Sequence, residues 1–199
     1  MKNALIVLGM QKAYFNKHTP YYIADSDDIL RRINRLIKYY RESEKPIIFI
    51  RHQHKSDGSD LDSLTDSIEG TEFKEGTDSS RYAEGLDQKK EDIHLVKTRY
   101  DAFFNTDLQK IIEKEKLEEV VIVGFMANYC CYATAITAYN LGYKVKLISD
   151  AVSTPSLGDI GFGRQESKKL VNVVLTSVAY GLGEVMTVNG FMRIDQYQQ

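Results

Sequence analysis

The sequence predicts an α/β fold: a three-layer α-β-α sandwich around a mostly parallel, Rossmann-like sheet of about six strands. Three observations predict it. Short apolar runs alternate with longer amphipathic stretches, the pattern of β-α-β units. The runs, such as residues 4–8 (ALIVL) and 120–123 (VVIV), are apolar at every position, as strands buried on both faces require. The chain also has 199 residues, a common size for one such domain, here read as residues 1–199.

The elements follow in order. Residues 4–8 form a strand that Gly9 ends. Residues 25–44 read as a helix: Asp25, Ser26 and Asp27 offer caps, and Ile29, Ile33, Leu36, Ile37 and Tyr40 recur at helical spacing. Pro46 breaks it, and residues 47–50 (IIFI) give a second buried strand. This opening β-α-β favours a parallel sheet. Residues 52–92 differ: roughly 40 polar, glycine-containing residues without clear elements, which is unusual in a compact domain and often carries function. They read as a surface excursion with one short helix, not as a linker; a solvated ornament is the alternative. Residues 93–96 form a strand. Residues 106–116 form a helix capped by Thr106, with Leu108, Ile111 and Ile112 facing in. Then come a strand at 120–123, a helix at 129–141 capped by Asn128 and stopped by Gly142, and a strand at 144–148. A helix at 165–180 and a last strand at 184–188 (EVMTV) complete the pattern. In such sheets, sites form beyond the carboxyl ends of the strands.

Composition narrows the function classes. The chain is 43% hydrophobic, 27% charged and 11% aromatic, which excludes disorder as the default. Its 26 basic and 28 acidic residues give a net charge of −2, with no basic excess for nucleic acid or an anionic membrane. The segment MKNALIVLGMQ does not read as a signal peptide, and no run approaches the roughly 18 to 20 apolar residues that cross a bilayer. The two cysteines are adjacent, Cys130 and Cys131, and cannot staple distant parts of a fold. A reduced, cytoplasmic protein acting on a small molecule is expected, with no nucleic-acid partner, membrane or cofactor.

Cys130 starts a helix beyond the strand at 120–123, in GFMANYCCYATAITAYNLGY. A thiol in the first turn of a helix feels the positive end of the dipole, which favours the nucleophilic thiolate. A small buried hydrophobe is the alternative, and Cys131 fits that description well. Lys97 follows the strand at 93–96, in HLVKTRYDAFFNTDL, where a lysine can point into the crevice and support a thiolate. Phe15, Tyr100, Phe103 and Phe104 follow strand ends too. They are candidates to line a pocket for a small planar substrate, or to plug the core.

These segments resemble the isochorismatase-like cysteine hydrolases, relatives of nicotinamidase and N-carbamoylsarcosine amidase. GFMANYCCYATAITAYNLGYKVKLISDA is similar to the family's nucleophile motif, KTRYDAFFNTDL to its lysine motif, and ALIVLGMQKAYF to its opening motif. The motifs occur in the family's order and span nearly the whole chain. The resemblance implies Cys130 as nucleophile, Lys97 as triad lysine, and an oxyanion hole from the N–H groups of Met126 and Cys130, with a cis peptide near Met126. Phe15, Tyr100 and Phe104 would bind substrate. It also implies hydrolysis of a C–N bond in a small amide or carbamoyl compound, and a homo-oligomer, dimer or tetramer. The cysteine disfavours the vinyl-ether hydrolase variant of the family.

One position departs from the motif. The family's aspartate stands two residues before Gln11, where this chain has Gly9. Glycine can neither take the thiol proton nor deliver it to a leaving amine. Loss of general acid–base help costs about a hundred- to ten-thousand-fold in rate. A catalytically weak pseudoenzyme or small-molecule binding module is therefore the competing expectation, with Asp101 and then Asp150 as candidate replacements. Nicotinamidase-like members bind a metal through Asp-x-His and a further histidine. Here RHQHKSDGSD lacks the Asp-x-His order, so His52 and His54 are read as a hydrogen-bonded pair at the pocket mouth, with no metal.

Overall fold

The structure is a computed structural model that describes residues 2–61 and 72–197. Six strands form one sheet: β1 (Asn3–Leu8), β2 (Ile47–His52), β3 (Ile93–Lys97), β4 (Glu119–Phe125), β5 (Lys144–Ser153) and β6 (Glu184–Met186). Their order is β3-β2-β1-β4-β5-β6, and every pairing is parallel. The helices are α1 (Ser26–Glu42), α2 (Leu108–Lys114), α3 (Tyr132–Asn140), α4 (Ser167–Gly181) and α5 (Val188–Gln196).

Alternation along the strands splits the core in two. Leu5 and Val7 of β1, with Val121 and Val123 of β4, pack under α1 and α5. Ala4, Ile6 and Leu8, with Val120 and Ile122, pack under α2, α3 and α4. Successive strand residues face opposite sides, so a sheet covered by helices on both faces needs apolar residues at every position. The predicted α/β sandwich is the observed one. Among the described residues, no helix is long and apolar enough to cross a membrane.

Two local expectations are corrected, and one alternative is set aside. The last strand stops at Met186, because Thr187 Oγ1 accepts the Gly190 N–H at 3.1 Å and caps α5, an unpredicted helix. Asn128 does not cap the nucleophile helix: that helix begins one π-turn earlier, at Ala127–Cys131, and Asn128 Oδ1 accepts from Thr154 Oγ1 at 2.5 Å. The segment after β2 is not an ornament. Lys12 and Ala13 donate backbone hydrogen bonds to Arg81 and Ser79, Ala83 donates to Met10, and Phe73 is buried in the core. The short helix expected within this segment lies outside the described residues.

Candidate active site

Strand order reverses between β1 and β4, so their carboxyl ends open the crevice where α/β sheets place sites. Cys130 lies there, in the π-turn that links β4 to α3. Lys97 ends β3 and pairs in register with His52, which ends β2. Register neighbours on parallel strands point to the same face, so the two side chains meet. Lys97 is 1% exposed. Its Nζ lies 3.0 Å from Cys130 Sγ, 2.9 Å from Arg99 O and 3.1 Å from His52 Nδ1. A buried ammonium with no carboxylate in contact is costly unless another partner bears negative charge. Among these three partners, the Cys130 sulfur is the one able to become an anion.

The chain of contacts continues. His52 Nε2 is 3.1 Å from His54 Nε2, and His54 Nδ1 is 3.1 Å from Asp60 Oδ2. His52 is fixed by Gln11, whose Nε2 donates to His52 O at 2.9 Å while its Oε1 accepts the His52 N–H at 2.9 Å. The two imidazoles bond each other, and an ammonium occupies the remaining His52 nitrogen. Among the described residues, no group of three His, Cys, Asp or Glu is disposed to hold a metal.

Cys130 opens on a cavity of about 280 Å³ walled by Tyr14, Tyr21, His52, Phe73, Tyr100, Tyr129 and the turn at residues 155–158. Ligand pockets commonly run from roughly 300 to 1,000 Å³, so this one suits a small molecule. Tyr100 stacks near His52, with centroids 6.1 Å apart, and packs on Tyr129 at 4.7 Å. Met126 also lines the cavity, and the Phe125–Met126 peptide is cis. Cys131 does not face it. Its thiol is fully buried, and burial pushes it well above the ordinary range; the neighbouring Cys130 adds to this and Lys97 opposes it.

The isochorismatase domain family matches residues 3–178. The chain belongs to the isochorismatase family. It is 31% identical over 153 residues to nicotinamidase 3 of Arabidopsis thaliana, covering 76% of this chain and 73% of that protein. It is 26% identical over 163 residues to the probable inactive nicotinamidase At3g16190 of the same plant, covering 77% and 83%. A cysteine hydrolase from Pseudomonas syringae pv. phaseolicola 1448A superposes with a TM-score of 0.91 at 28% identity, over 96% of this chain and 91% of that one.

Set in an isochorismatase-family fold, Gly9 sits at the end of β1 with φ +60°. A Cβ built on it would lie 2.4 Å from Phe125 O and 3.7 Å from the Tyr14 ring. The space beside Gly9 therefore holds a backbone carbonyl and an aromatic edge. Asp101 is engaged in the turn before α2 and on α3: its two oxygens accept from Phe103 N and Thr137 Oγ1, each at 2.9 Å. Asp150 Oδ1 instead accepts the Val188 N–H at 2.8 Å, at the start of α5.

Of the four expected aromatics, Tyr100 lines the cavity and Phe15, Phe103 and Phe104 do not. Phe15 packs toward Phe125 and borders a separate surface concavity. Phe104 is 48% exposed in the turn before α2, while its neighbour Phe103 stacks on Tyr143. Adjacent residues in that turn face opposite ways, so one packs and the other faces solvent. Tyr14, Tyr21, Phe73 and Tyr129 form the wall instead. No sequence signal marks Phe73 or Tyr21, which arrive from loops. Tyr129, adjacent to Cys130, was findable from the nucleophile motif.

Proposed function

We propose that this chain is a cysteine hydrolase that cleaves the C–N bond of a small amide or carbamoyl compound through a thioester on Cys130. The observation that carries the reading is the 3.0 Å contact between Lys97 Nζ and Cys130 Sγ beside a small aromatic cavity. Lys97 draws the proton from Cys130 Sγ, and the thiolate so formed attacks the carbonyl carbon. The N–H groups of Met126 and Cys130 receive the oxyanion; one such donor is typically worth about 2.7–4 kcal/mol. Collapse expels the amine, which leaves with a proton from Lys97, and water then hydrolyses the acyl thioester and returns a proton to Lys97. The tyrosine and phenylalanine walls favour a planar group next to the carbonyl, and the similarity to a nicotinamidase supports an aromatic primary amide as first choice.

Ammonia release from nicotinamide, other aromatic primary amides and N-carbamoyl amino acids tests the reading. At least one is hydrolysed by the wild type, Cys130→Ala abolishes turnover, and Cys131→Ala retains it. Turnover that survives in Cys130→Ala sinks the thioester route. Gly9 favours a second reading, a binding module without turnover. Calorimetric binding of an amide by wild-type protein with no ammonia released is its signature.

A further inference from the structure

The buried groups behind Cys130 have a single consistent direction. An ammonium only donates, so His52 Nδ1 accepts from Lys97 and the imidazole proton sits on Nε2. His54 Nε2 then accepts that proton's hydrogen bond, and His54 carries its own proton on Nδ1, facing Asp60. The second Asp60 oxygen accepts the Lys55 N–H at 2.9 Å. One set of tautomers satisfies these contacts and ends on a carboxylate. Cys130, Lys97, His52 and His54 are each less than a tenth exposed, and of these Cys130 and His52 reach the cavity wall. Among the described residues, the groups around it include the Tyr100 ring, near His52, and Arg99, whose Nη1 donates to the Asp60 carbonyl at 3.1 Å.

We propose that His52 and His54, with Asp60 as a positioning residue behind them, carry the proton that the family's aspartate carries, in place of the side chain that Gly9 lacks. The proposal rests on the reading of Cys130 as the nucleophile. Lys97 passes one proton to His52 Nδ1 as it takes one from Cys130 Sγ–H. His52 shifts its Nε2 proton to His54, and the resulting imidazolium is paired with the Asp60 carboxylate. The C–S bond forms, and the C=O pair moves to oxygen. The C–N bond then breaks, and the amine leaves with a proton returned by the same route through Lys97. In the second half a water gives its proton to the chain as the C–O bond forms. The C–S bond breaks, and the sulfur pair is neutralised again. Burial pushes Asp60 up, but the Lys55 N–H and the His54 contact outweigh it, so Asp60 lies below the usual carboxylate range and stays ionised as the terminal partner.

The test needs no substrate. Iodoacetamide alkylation of Cys130 in the full-length protein is followed by mass spectrometry as a function of pH. A relay and a bare charge have opposite signs here. Deleting the Asp60 charge, if it acted only through space, would ease thiolate formation and speed alkylation at neutral pH. Deleting it as the end of a relay frees the His52 tautomer, weakens the Lys97 ammonium and slows alkylation. Asp60→Asn and His54→Gln are expected to slow the rate at pH 7 about tenfold and to move its rise about one pH unit higher. Unchanged or faster alkylation in folded Asp60→Asn protein overturns the proposal. His52→Asn gives the larger effect; should it fail to fold, the Asp60 variant, on the loop beyond β2, decides alone. A normal relay signature with no amide hydrolysed counts against the hydrolase reading instead, so the two failures are distinguishable.

Discussion

At Gly9 the absence of a side chain is tied to backbone shape. A built Cβ meets Phe125 O at 2.4 Å, and across the joint a Cβ on Gly124, with φ +108°, would meet Leu8 O at 1.9 Å. The ends of β1 and β4 approach so closely that neither position accepts a side chain as the backbone stands. Positive φ at a non-glycine residue costs about 1–3 kcal/mol, and overpacking a similar amount. Gly9→Ala and Gly9→Asp are each expected to lose about 2 kcal/mol or more in urea denaturation. A Gly9→Asp protein as stable as the wild type would show that the joint opens freely. Gly9→Asp is thus a poor test of activity. The glycine was legible in the sequence as a departure from a motif; the carbonyl filling its place was not, because that contact depends on how two distant strands meet. Cys130 and Lys97 were legible because position at the end of a parallel strand is itself a coordinate. Phe15 and Phe104 also follow strand ends, but the direction of a loop side chain is set by local turns that no periodicity reports.

Between elements, the decisive joint is the one Gln11 makes. Its buried side chain bonds the His52 backbone twice and also donates to Ser80 O at 2.8 Å, tying the end of β1 to the end of β2 and to the segment beyond it. Gln11→Leu leaves a buried N–H and two carbonyls without that partner, at about 1–3 kcal/mol for each unsatisfied group. The expected loss of about 2 kcal/mol or more lowers the melting temperature by roughly 4–8 °C. Cys130 alkylation should slow in the same variant, because His52 loses its anchor; a stable variant with normal labelling would remove Gln11 from the site's support. The sequence marked Gln11 only as part of the opening motif. The segment after β2 was hardest to read, because its order comes from single bridges and buried side chains such as Phe73 rather than from repeating hydrogen bonds. Helix α5 was missed for a related reason. Met186, Thr187 and Val188 extend a strand-like pattern, and Gly190 sits inside the helix, so the Thr187 cap is the only strong local signal.

Over the whole molecule, chemistry and cohesion occupy opposite edges of the sheet. At the amino edge Asn3 Nδ2 donates to Glu119 and Asp195, at 3.1 and 3.2 Å, and Tyr40 donates to Asn3 Oδ1 at 2.9 Å. Glu119 pairs with Lys146 at 2.7 Å, and Asp195 accepts from Lys45 at 2.5 Å and Tyr39 at 2.6 Å. This network, with Phe191 stacked on Tyr40, fastens α5 to β1 and β4. Burial pushes Asp195 up, but Lys45, Tyr39 and Asn3 outweigh it and hold the carboxyl below its ordinary value. A depressed carboxylate contributes stability above its unfolded pKa, about 3.9, and loses it as pH falls through the folded value. Asp195→Asn is therefore expected to cost about 2 kcal/mol at pH 7, as the loss of hydrogen bonds to a charged group. Its stability should also vary less with pH below about 4 than the wild type's. Distant sites contribute independently, so the variant's Cys130 alkylation profile should match the wild type's. Urea denaturation as a function of pH, run beside the alkylation assay, measures both. A shifted alkylation profile in Asp195→Asn would mean that the two edges of the sheet are coupled and that stability and proton transfer are not separable in this fold.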